Sequence, residues 1–287
     1  NVVDDTTLYA YWTINSYTLT VEYYISDSQT PVETATRENV KYGASVTVES
    51  PVKAGYNADR TAVTVTMGAG DMTEEVRYTA IPYTITYTTG VAGLEVAADN
   101  YTIEEKVVIA TVERAGYDFT GWKVKEVAGN WTMLDVAYTA GQELEGMYGN
   151  VELVAQWSPV GYTMTFNTDG GSLIDPGTYT IESEVTLPTT TKAGWTFAGW
   201  TVETAVGNYT AGETFVESAK ITGKYGNVTL KATWTANTYP AKVEVSHAKV
   251  SLSKEAEFTT SIQSTVATAT EFVFYAKADE GYGSQGL

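Results

Sequence analysis

Two eight-residue stretches, "AGYDFTGW" at residues 115–122 and "AGWTFAGW" at residues 193–200, are nearly the same and lie 78 positions apart. The agreement continues upstream, where "NYTIEEKV" (100–107) matches "TYTIESEV" (178–185), and downstream into a shared "YGNV" and a closing tryptophan. A catalytic motif is seldom duplicated whole, whereas a folding unit often is. We therefore interpret the chain as tandem copies of one module, repeated about every 78 residues.

The repeats divide the chain into segments. Two good copies are preceded by a looser one, which keeps an Ala-Gly-Tyr turn but lacks the Gly-Trp pair, and "TLYAYWTINSY" near the start matches a closing strand. The tail lacks the repeat motifs, and its pattern suggests the first strands of an immunoglobulin-like sandwich. The predicted segments are the closing strand of a truncated preceding repeat (1–16), three β modules (17–82, 83–161 and 162–238) and a partial β module of a different type (239–287).

Alternation of apolar and polar residues predicts strands almost everywhere. In the closing strand "VTLKATW", Val228, Leu230, Ala232 and Trp234 fall on one face, which is the pattern of a half-buried antiparallel strand. No long helical stripe is visible, and at most one short helix per module fits, in a stretch such as 209–219. The sequence therefore predicts a mostly β chain.

The duplicated phrase has a structural interpretation. Alternation places Tyr117, Phe119 and Gly121 on one strand face and Trp122 on the other, and a neighbouring ring is expected to cover the glycine backbone. Trp122 and its copy Trp200 are predicted core anchors, because burying a tryptophan contributes about 2–3 kcal/mol or more. The tryptophans of the closing strands, Trp157 and Trp234, are likewise expected to be buried in equivalent positions.

Composition excludes several classes of function. With 17 basic and 35 acidic residues the net charge is −18, which disfavours nucleic acid and anionic membrane surfaces. The absence of cysteine excludes disulfides and thiolate zinc sites. No apolar run approaches 18 residues, so we predict no direct membrane insertion by this segment.

The segment 162–235 resembles the internalin-type B-repeat, also called the Listeria–Bacteroides repeat, through "YTMTFNTDGGS", "TLP", "KAGWTFAGW" and "VTLKATW". Residues 83–157 are similar to it, with "YTTGVAG" in place of the Asn-x-x-Gly-Gly turn. The first module looks more like a mucin-binding-protein repeat. The resemblance implies small β-grasp-like domains, arranged as beads on a string in long bacterial surface proteins, with no catalytic residues and no cofactor.

Few residues are candidates for chemistry. His247 is the sole histidine and lies in an alternating stretch, where a surface or strand role is favoured over catalysis. "NTDGGS" (167–172) has a faint calcium-loop look, but a glycine-rich hairpin turn is favoured. Four Asn-x-Thr sequons, at Asn100, Asn130, Asn208 and Asn227, matter only in a host that glycosylates them.

Two loop aromatics are the candidate ligand-binding residues. Trp131 in "AGNWTML" and its counterpart Tyr209 in "VGNYT" could stack on a sugar ring or dock a protein, although a ring folded over the core is favoured.

Two hypotheses of function follow. The leading one is a non-catalytic repeat segment of a bacterial cell-surface or secreted protein, acting as an extended spacer or stalk that presents adhesive or other domains. The alternative is an adhesive module that contacts glycans or proteins of a host or neighbouring cell through the loop aromatics. We expect an extracellular location. We also expect the segment 6–13, whose apolar face has no partner module, to promote self-association by strand pairing.

Overall fold

The structure is a computed structural model, which describes residues 7–126, 129–132 and 137–283. In those residues the chain forms β-strands and no helix. The mostly β fold predicted from alternation is therefore confirmed. The short helix considered for 209–219 does not form, and this stretch contains the strand Thr214–Phe215 instead.

Backbone contacts divide the chain into two compact units. The first unit comprises Asn1–Glu113 and Phe119–Trp157, and the second comprises Arg114–Asp118 and Ser158–Leu287. The hydrophobic cores of the first two repeats lie in the first unit. The core of the third repeat lies in the second unit, together with the tail.

The first repeat is built on a four-stranded sheet in the order β2-β1-β6-β4, in which β1 and β6 are parallel and the outer pairs antiparallel. A separate antiparallel pair joins β3 and β5. Leu19, Val21 and Val76 are fully buried on the inner face of the sheet. The strands are β1 (Ser16–Ile25), β2 (Glu33–Lys41), β3 (Ser45–Glu49), β4 (Tyr56–Ala58), β5 (Ala62–Thr66) and β6 (Met72–Ala80).

The second repeat has a sheet in the order β10-β12-β7-β8, in which β7 and β12 are parallel, and a separate pair of β9 with β11. Its core includes Ile85, Trp122 and Leu153, each fully buried. The strands are β7 (Tyr83–Thr88), β8 (Asp99–Tyr101), β9 (Val107–Val108), β10 (Tyr117–Val124), β11 (Glu143–Leu144) and β12 (Val151–Pro159).

The third repeat has the same arrangement with one added strand, in the order β14-β13-β19-β16-β17, and a separate pair of β15 with β18. Met164, Trp200 and Leu230 lie in its core. The strands are β13 (Tyr162–Asn167), β14 (Gly177–Tyr179), β15 (Val185–Thr186), β16 (Trp195–Ala205), β17 (Thr214–Phe215), β18 (Lys220–Ile221) and β19 (Val228–Ala236).

In all three repeats the opening strand lies parallel to the closing strand. The pairs are β1 with β6, β7 with β12, and β13 with β19. Parallel neighbours need a long crossover connection, which here consists of loops and short strands. The first repeat therefore shares the topology of the other two although it lacks the Gly-Trp pair. Topology follows from the strand pattern and does not depend on the tryptophan.

Strict alternation fails at the duplicated phrase. In β16 the register against β19 shifts between Phe197 and Gly199, which is a β-bulge. In β10 the residues Gly121 and Trp122 are both buried in succession. Because one residue is inserted into the ladder, the tryptophan turns to the same side as the preceding phenylalanine. The prediction that Trp122 shares the face opposite Phe119 was therefore wrong, while its burial is confirmed at 0% exposure.

The glycine of the Gly-Trp pair is covered by backbone, not by a ring as predicted. Gly121 and Gly199 have φ of 125° and 130°. A β-carbon on Gly199 would lie 2.1 Å from the carbonyl oxygen of Phe215, and one on Gly121 would lie 2.8 Å from that of Tyr138. Both the left-handed backbone and the close neighbouring strand therefore require glycine.

The closing strands alternate as predicted. Val228, Leu230 and Ala232 are buried in β19, and the equivalent positions of β12 are buried too. Trp157 and Trp234, however, are only half-buried, unlike Trp122 and Trp200. Their indole nitrogens donate to the carbonyl oxygens of Thr89 at 2.9 Å and Thr168 at 3.2 Å respectively.

The tail forms two antiparallel pairs, β20 with β22 and β21 with β23. No parallel pair joins its described strands, unlike the three repeats. Val250 and Ser251 are its buried residues. Its assignment to a sandwich-type module stays a prediction. The strands are β20 (Thr238–Glu244), β21 (Ala248–Ser251), β22 (Ser261–Ala267) and β23 (Tyr275–Ala278).

The segment expected to pair as a strand is described from residue 7, since residue 6 lies outside the described residues. Residues 7–15 form no strand, and Leu8 and Trp12 are each 91% exposed. The predicted self-association through this segment is untested and stays a prediction.

Candidate functional site

The Gly-Trp pair forms the same aromatic cluster in both repeats. The Trp122 ring lies 5.2 Å from Phe119, and Phe119 lies 5.3 Å from Trp157. In the third repeat the corresponding distances, from Phe197 to Trp200 and to Trp234, are 5.2 and 5.4 Å. All four pairs are edge-to-face, the arrangement that aromatic quadrupoles favour.

Each buried indole also satisfies its polar atom within its own repeat. Trp122 Nε1 donates to the carbonyl oxygen of Ala110, and Trp200 Nε1 donates to that of Pro188, both at 2.8 Å. A buried indole N–H without an acceptor would cost about 1–3 kcal/mol. The indole N–H groups of the duplicated phrase are therefore used within the fold.

The two candidate ligand-binding aromatics lie in the cores of their repeats. Trp131 is 0% exposed and Tyr209 is 7% exposed. They occupy equivalent places: Trp131 meets Tyr101 edge-on at 6.3 Å, and Tyr209 meets Tyr179 edge-on at 6.4 Å. Neither face is available for stacking a sugar in this structure, so the folded-back arrangement is the one observed.

The polar atoms of these two rings are treated differently. Trp131 Nε1 donates to Tyr101 Oη at 2.7 Å, and Tyr101 Oη donates to the carbonyl oxygen of Gly149 at 2.5 Å. Tyr209 Oη is buried beside Tyr179 Oη, which donates to the carbonyl oxygen of Gly226, and no hydrogen bond of ordinary geometry joins Tyr209 Oη to a described residue. Burial raises the pKa of the Tyr209 hydroxyl strongly, and the neighbouring Tyr179 raises it further. Tyr209 is therefore held neutral and is no acid–base group near neutral pH.

A shallow groove recurs beside the parallel strand pair. Its volume is about 330 Å³ in the third repeat and about 370 Å³ in the second. Hydroxyl and amide groups line both grooves, from Thr163, Thr165 and Asn227 in one and Thr84, Thr86 and Asn150 in the other. The amide is already engaged, since Asn227 Oδ1 accepts from the Thr163 amide at 2.9 Å, and Asn150 does the same for Thr84. The hydroxyls of Thr165 and Thr86 donate to the carbonyl oxygens of Val228 and Val151, and that of Thr84 donates to Asn100 Oδ1. The described residues that line the grooves include no aromatic side chain.

The remaining polar candidates have structural roles. Asp169 has φ of 50°, and its amide donates to Asn167 Oδ1 at 3.2 Å, which closes a local turn. Its carboxylate faces Lys231 at 3.5 Å and Lys192 at 3.8 Å. The preferred interpretation as a hairpin turn fits, because the stretch lies between β13 and β14, which pair antiparallel. No group of His, Asp or Glu in the described residues could hold a metal ion.

His247 stacks on Tyr282 with ring centroids 4.3 Å apart and 6° between planes. Its carbonyl oxygen accepts from the Asp279 amide at 3.0 Å. It thus packs at the end of a strand pair in the tail, as the structural interpretation expected.

Two of the sequon asparagines hold the loop that carries the aromatic. Asn130 Nδ2 donates to the carbonyl oxygen of Gly146 and its Oδ1 accepts from the Tyr148 amide, both at 2.9 Å. Asn208 makes the same pair of bonds with Gly223 and Tyr225 at the same distances. The repeated Gly-Asn therefore has a sufficient structural reason, independent of glycosylation.

The structure adds residues that the sequence reasoning missed. Ile103, Glu104, Ile181 and Glu182 contact the Ala-Gly-aromatic turns of an earlier segment. Their signal was in the sequence, since "YTIEE" and "YTIES" are duplicated as faithfully as the Gly-Trp phrase. These side chains were not singled out because the duplicated stretch contains no motif for catalysis or metal binding.

In the described part of the chain there is no helix that could cross a membrane.

Comparison with known families gives one clear match. The Listeria-Bacteroides repeat domain matches residues 83–156 and 162–233, together about half of the chain. The first repeat and the tail lie outside the match, so the similarity of residues 17–82 to a mucin-binding-protein repeat stays a prediction.

A curated relative from Evansella cellulosilytica, provisionally named a Gly-rich membrane protein, is 32% identical over 159 residues. The match covers 53% of this chain and 18% of the relative. The chain thus spans less than a fifth of the length of that protein.

Two solved structures are similar at low identity. The Bacillus anthracis TIE protein is 13% identical, with 76% of this chain and 51% of that chain covered and a TM-score of 0.32. Streptococcal High Identity Repeats in Tandem (SHIRT) domains 3-4 from a cell surface protein are 14% identical, with 50% and 99% covered and a TM-score of 0.18.

Proposed function

The chain belongs to the Listeria-Bacteroides repeat family, and we propose that it is a non-catalytic spacer segment of a bacterial cell-surface or secreted protein. In this role the repeats separate other domains from their point of attachment. Recognition of a ligand is then the task of domains outside this segment.

One observation carries the proposal: the residues that define the repeat have identical structural tasks in both matched copies. Trp122 and Trp200 are fully buried, with the same phenylalanine neighbour and the same indole hydrogen bond to a main-chain carbonyl. Asn130 and Asn208 hold equivalent loops with equal bonds. Because the side chains that both repeats share are bonded within their own repeat, the repeat contributes length and stability to the chain.

The net charge of −18 also supports this role. Several ion pairs of the chain lie at the surface, such as Lys106 with Glu143 at 2.9 Å, in which both side chains are about half exposed or more. Such pairs contribute little to stability, whereas an acidic surface keeps neighbouring chains apart and soluble.

The test is a display experiment with the full chain. The 287-residue chain is fused between a surface anchor and a small reporter epitope, and antibody access to the epitope is measured on a cell coated with polysaccharide. We expect access to exceed that of the epitope attached directly to the anchor. Equal access would contradict the spacer role.

The adhesive alternative has one observation in its favour, the threonine groove that recurs in the second and third repeats. A glycan array and a pull-down with surface proteins, both using the full chain, test it. Saturable binding that falls with Thr163→Val, and falls further when Thr84→Val is added, would establish the groove as a binding site. Absence of saturable binding leaves the spacer as the function.

A further inference from the structure

The three Ala-Gly-aromatic turns share an unexpected partner. Each glycine has φ near +80° and is covered by a β-branched side chain from the domain that follows in sequence. A β-carbon on the glycine would lie 2.7 or 2.8 Å from a terminal methyl of that side chain, closer than real contacts allow. The pairs are Gly55 with Ile103, Gly116 with Ile181, and Gly194 with Thr268.

A main-chain hydrogen bond recurs at the same place. Each of the three glycine carbonyl oxygens accepts from an amide of the short connection that leads to the following domain. The donors are Ile81 for Gly55 at 2.9 Å, Val160 for Gly116 at 3.0 Å, and Asn237 for Gly194 at 2.9 Å. The first turn belongs to the first unit and the other two to the second unit, so each contact lies inside one unit.

A carboxylate accompanies the contact where the aromatic is tyrosine. Tyr117 Oη donates to Glu182 Oε1 at 3.0 Å, and burial followed by this hydrogen bond raises the pKa of Tyr117. Burial also raises the pKa of Tyr56, and the charge of Glu104 beside it raises it further. Glu104 Oε1 in addition accepts from Ser26 Oγ, in the first repeat, at 2.5 Å.

The third turn lacks both halves of this pair. Its aromatic is Trp195, which has no hydroxyl, and the residue after Thr268 is Ala269, which has no carboxylate. The two positions thus change together along one chain. This is the pattern expected of groups that recognise each other.

We propose that the Ala-Gly-aromatic turn of each repeat is a docking surface for the following domain, which it recognises by a β-branched side chain and, when the aromatic is tyrosine, by a glutamate after it. The turn therefore has two tasks: it starts a strand of its own repeat, and it supplies a contact that a side chain of the following domain stabilises.

The glycine is essential to this surface, because any side chain would occupy the space of the isoleucine. The contact buries Gly55 and Gly116 and covers part of the isoleucine side chains, which are half-buried. The tyrosine–glutamate bond adds direction, since a charge-assisted hydrogen bond is stronger than a neutral one. The inference deepens the proposed spacer role and rests on it, because a spacer gains from neighbours that support each other.

The test is hydrogen exchange on the full chain with two matched variants. Glu104→Gln weakens the bonds to the first repeat. Glu105→Gln makes the same charge change one residue later, at a side chain that accepts from the Thr102 amide of its own turn at 2.6 Å. Ile103→Ala removes the apolar contact. The readout is exchange at the Ile81 amide and across 53–57.

We expect Ile103→Ala to speed exchange at Ile81 about tenfold, equivalent to about 1.4 kcal/mol, and Glu104→Gln to speed it severalfold. Glu105→Gln should leave it unchanged. Exchange at Leu19 and Leu153 reports that both repeats remain folded. Unchanged exchange at Ile81 in Ile103→Ala, or equal effects of the two glutamate variants, would overturn the proposal.

The second unit offers an independent pair. Glu182→Gln should speed exchange across 115–118, whereas Glu184→Gln, which breaks an ion pair with Lys220, should not. Exchange reads the docking contact directly and does not depend on display or ligand binding. Its failure is therefore distinguishable from failure of the spacer function.

Discussion

The loops that carry Trp131 and Tyr209 occupy the same place in two repeats and use opposite chemistry around it. In the second repeat the indole has an acceptor, and Met147 is buried in the same core cluster. In the third repeat Lys224 replaces that methionine, lies 4.9 Å from the Tyr209 ring and pairs with Glu213 at 2.8 Å. The fold thus demands a covered aromatic ring at this position, and leaves open whether an apolar or an ionic group covers it.

The largest expected effect tests how equivalent the two repeats are. Trp122→Ala and Trp200→Ala should each destabilise their own repeat by about 3–5 kcal/mol, because each removes a fully buried ring and leaves a cavity. Hydrogen exchange of the full chain measures both repeats separately. Trp12→Ala is the matched control, since that ring is 91% exposed. Retained protection of the second repeat in Trp122→Ala would refute its equivalence with the third.

The next effect concerns the bulge glycines. Gly199→Ala should cost about 1–3 kcal/mol in backbone strain alone. It should cost more than Gly121→Ala, because its β-carbon would lie 2.1 Å from a backbone carbonyl oxygen, whereas that of Gly121 would lie 2.7 Å from the Ala137 methyl and 2.8 Å from the Tyr138 carbonyl oxygen. Thermal unfolding of the two variants ranks them. Gly43→Ala is the control: Gly43 also has a positive φ, of 75°, but no atom lies within 4 Å of the place of its β-carbon. This variant therefore measures backbone strain without crowding. A larger loss in Gly121→Ala than in Gly199→Ala would show that the crowding argument is wrong.

Removing the polar atom of the loop aromatic is expected to change stability in opposite directions in the two repeats. Trp131→Phe should destabilise the second repeat by about 1–3 kcal/mol, since Tyr101 loses its donor and the core loses volume. Tyr209→Phe should be neutral or stabilising, since it removes a buried hydroxyl that has no partner in the described residues. Denaturant unfolding followed by repeat-resolved exchange measures both. Clear destabilisation by Tyr209→Phe would mean that its hydroxyl is hydrogen-bonded in solution.

The smallest expected effect is a pH dependence of the third repeat's stability that comes from Glu213, the partner of Lys224 beside the Tyr209 ring. Burial alone would raise the pKa of Glu213, but hydrogen bonds from Lys224 and the Thr210 amide hold it below its ordinary value of 4.5. A lowered folded-state pKa means that this stabilisation is present above pH 4.5 and is lost as pH falls below it. Glu213→Gln should therefore flatten the acid limb of the third repeat's stability, measured between pH 6 and pH 3 by exchange.

Glu152 supplies the comparison in the second repeat, because Lys125 and Thr88 hold its pKa below the ordinary value in the same direction. Glu152→Gln should change the acid limb of the second repeat only. An acid limb of the third repeat that is identical in Glu213→Gln and the parent would exclude Glu213 as its source.

Much of the fold was available from the sequence because it depends on local periodicity. Alternation in β19 gave the buried positions Val228, Leu230 and Ala232, and duplication gave the equivalence of Trp122 and Trp200. Alternation could not show the bulge at Gly199, since an inserted residue leaves the composition of the strand unchanged and is visible only against its partner. The docking contacts of Ile103 and Glu104 were hidden for a similar reason: their partner lies in another repeat.

The phrases "YTAGQ" (138–142) and "YTAGE" (209–213) show where the boundary lies. The sequence alone determined their local turn: the amide of Thr139 bonds Gln142 Oε1 at 3.0 Å, and that of Thr210 bonds Glu213 Oε2 at 3.2 Å. Short-range side-chain bonds of this kind need only neighbours in the chain.

Only the tertiary structure decided where each turn is used. Tyr138 bridges Trp122, whereas in the third repeat Phe215 pairs with Trp200 and Tyr209 instead takes the place of Trp131 against a buried tyrosine. Identical local phrases are therefore not equivalent positions. The register is set by which ring fills the core beside the Gly-Trp bulge, and burial of a whole aromatic side chain outweighs the preference of a single turn.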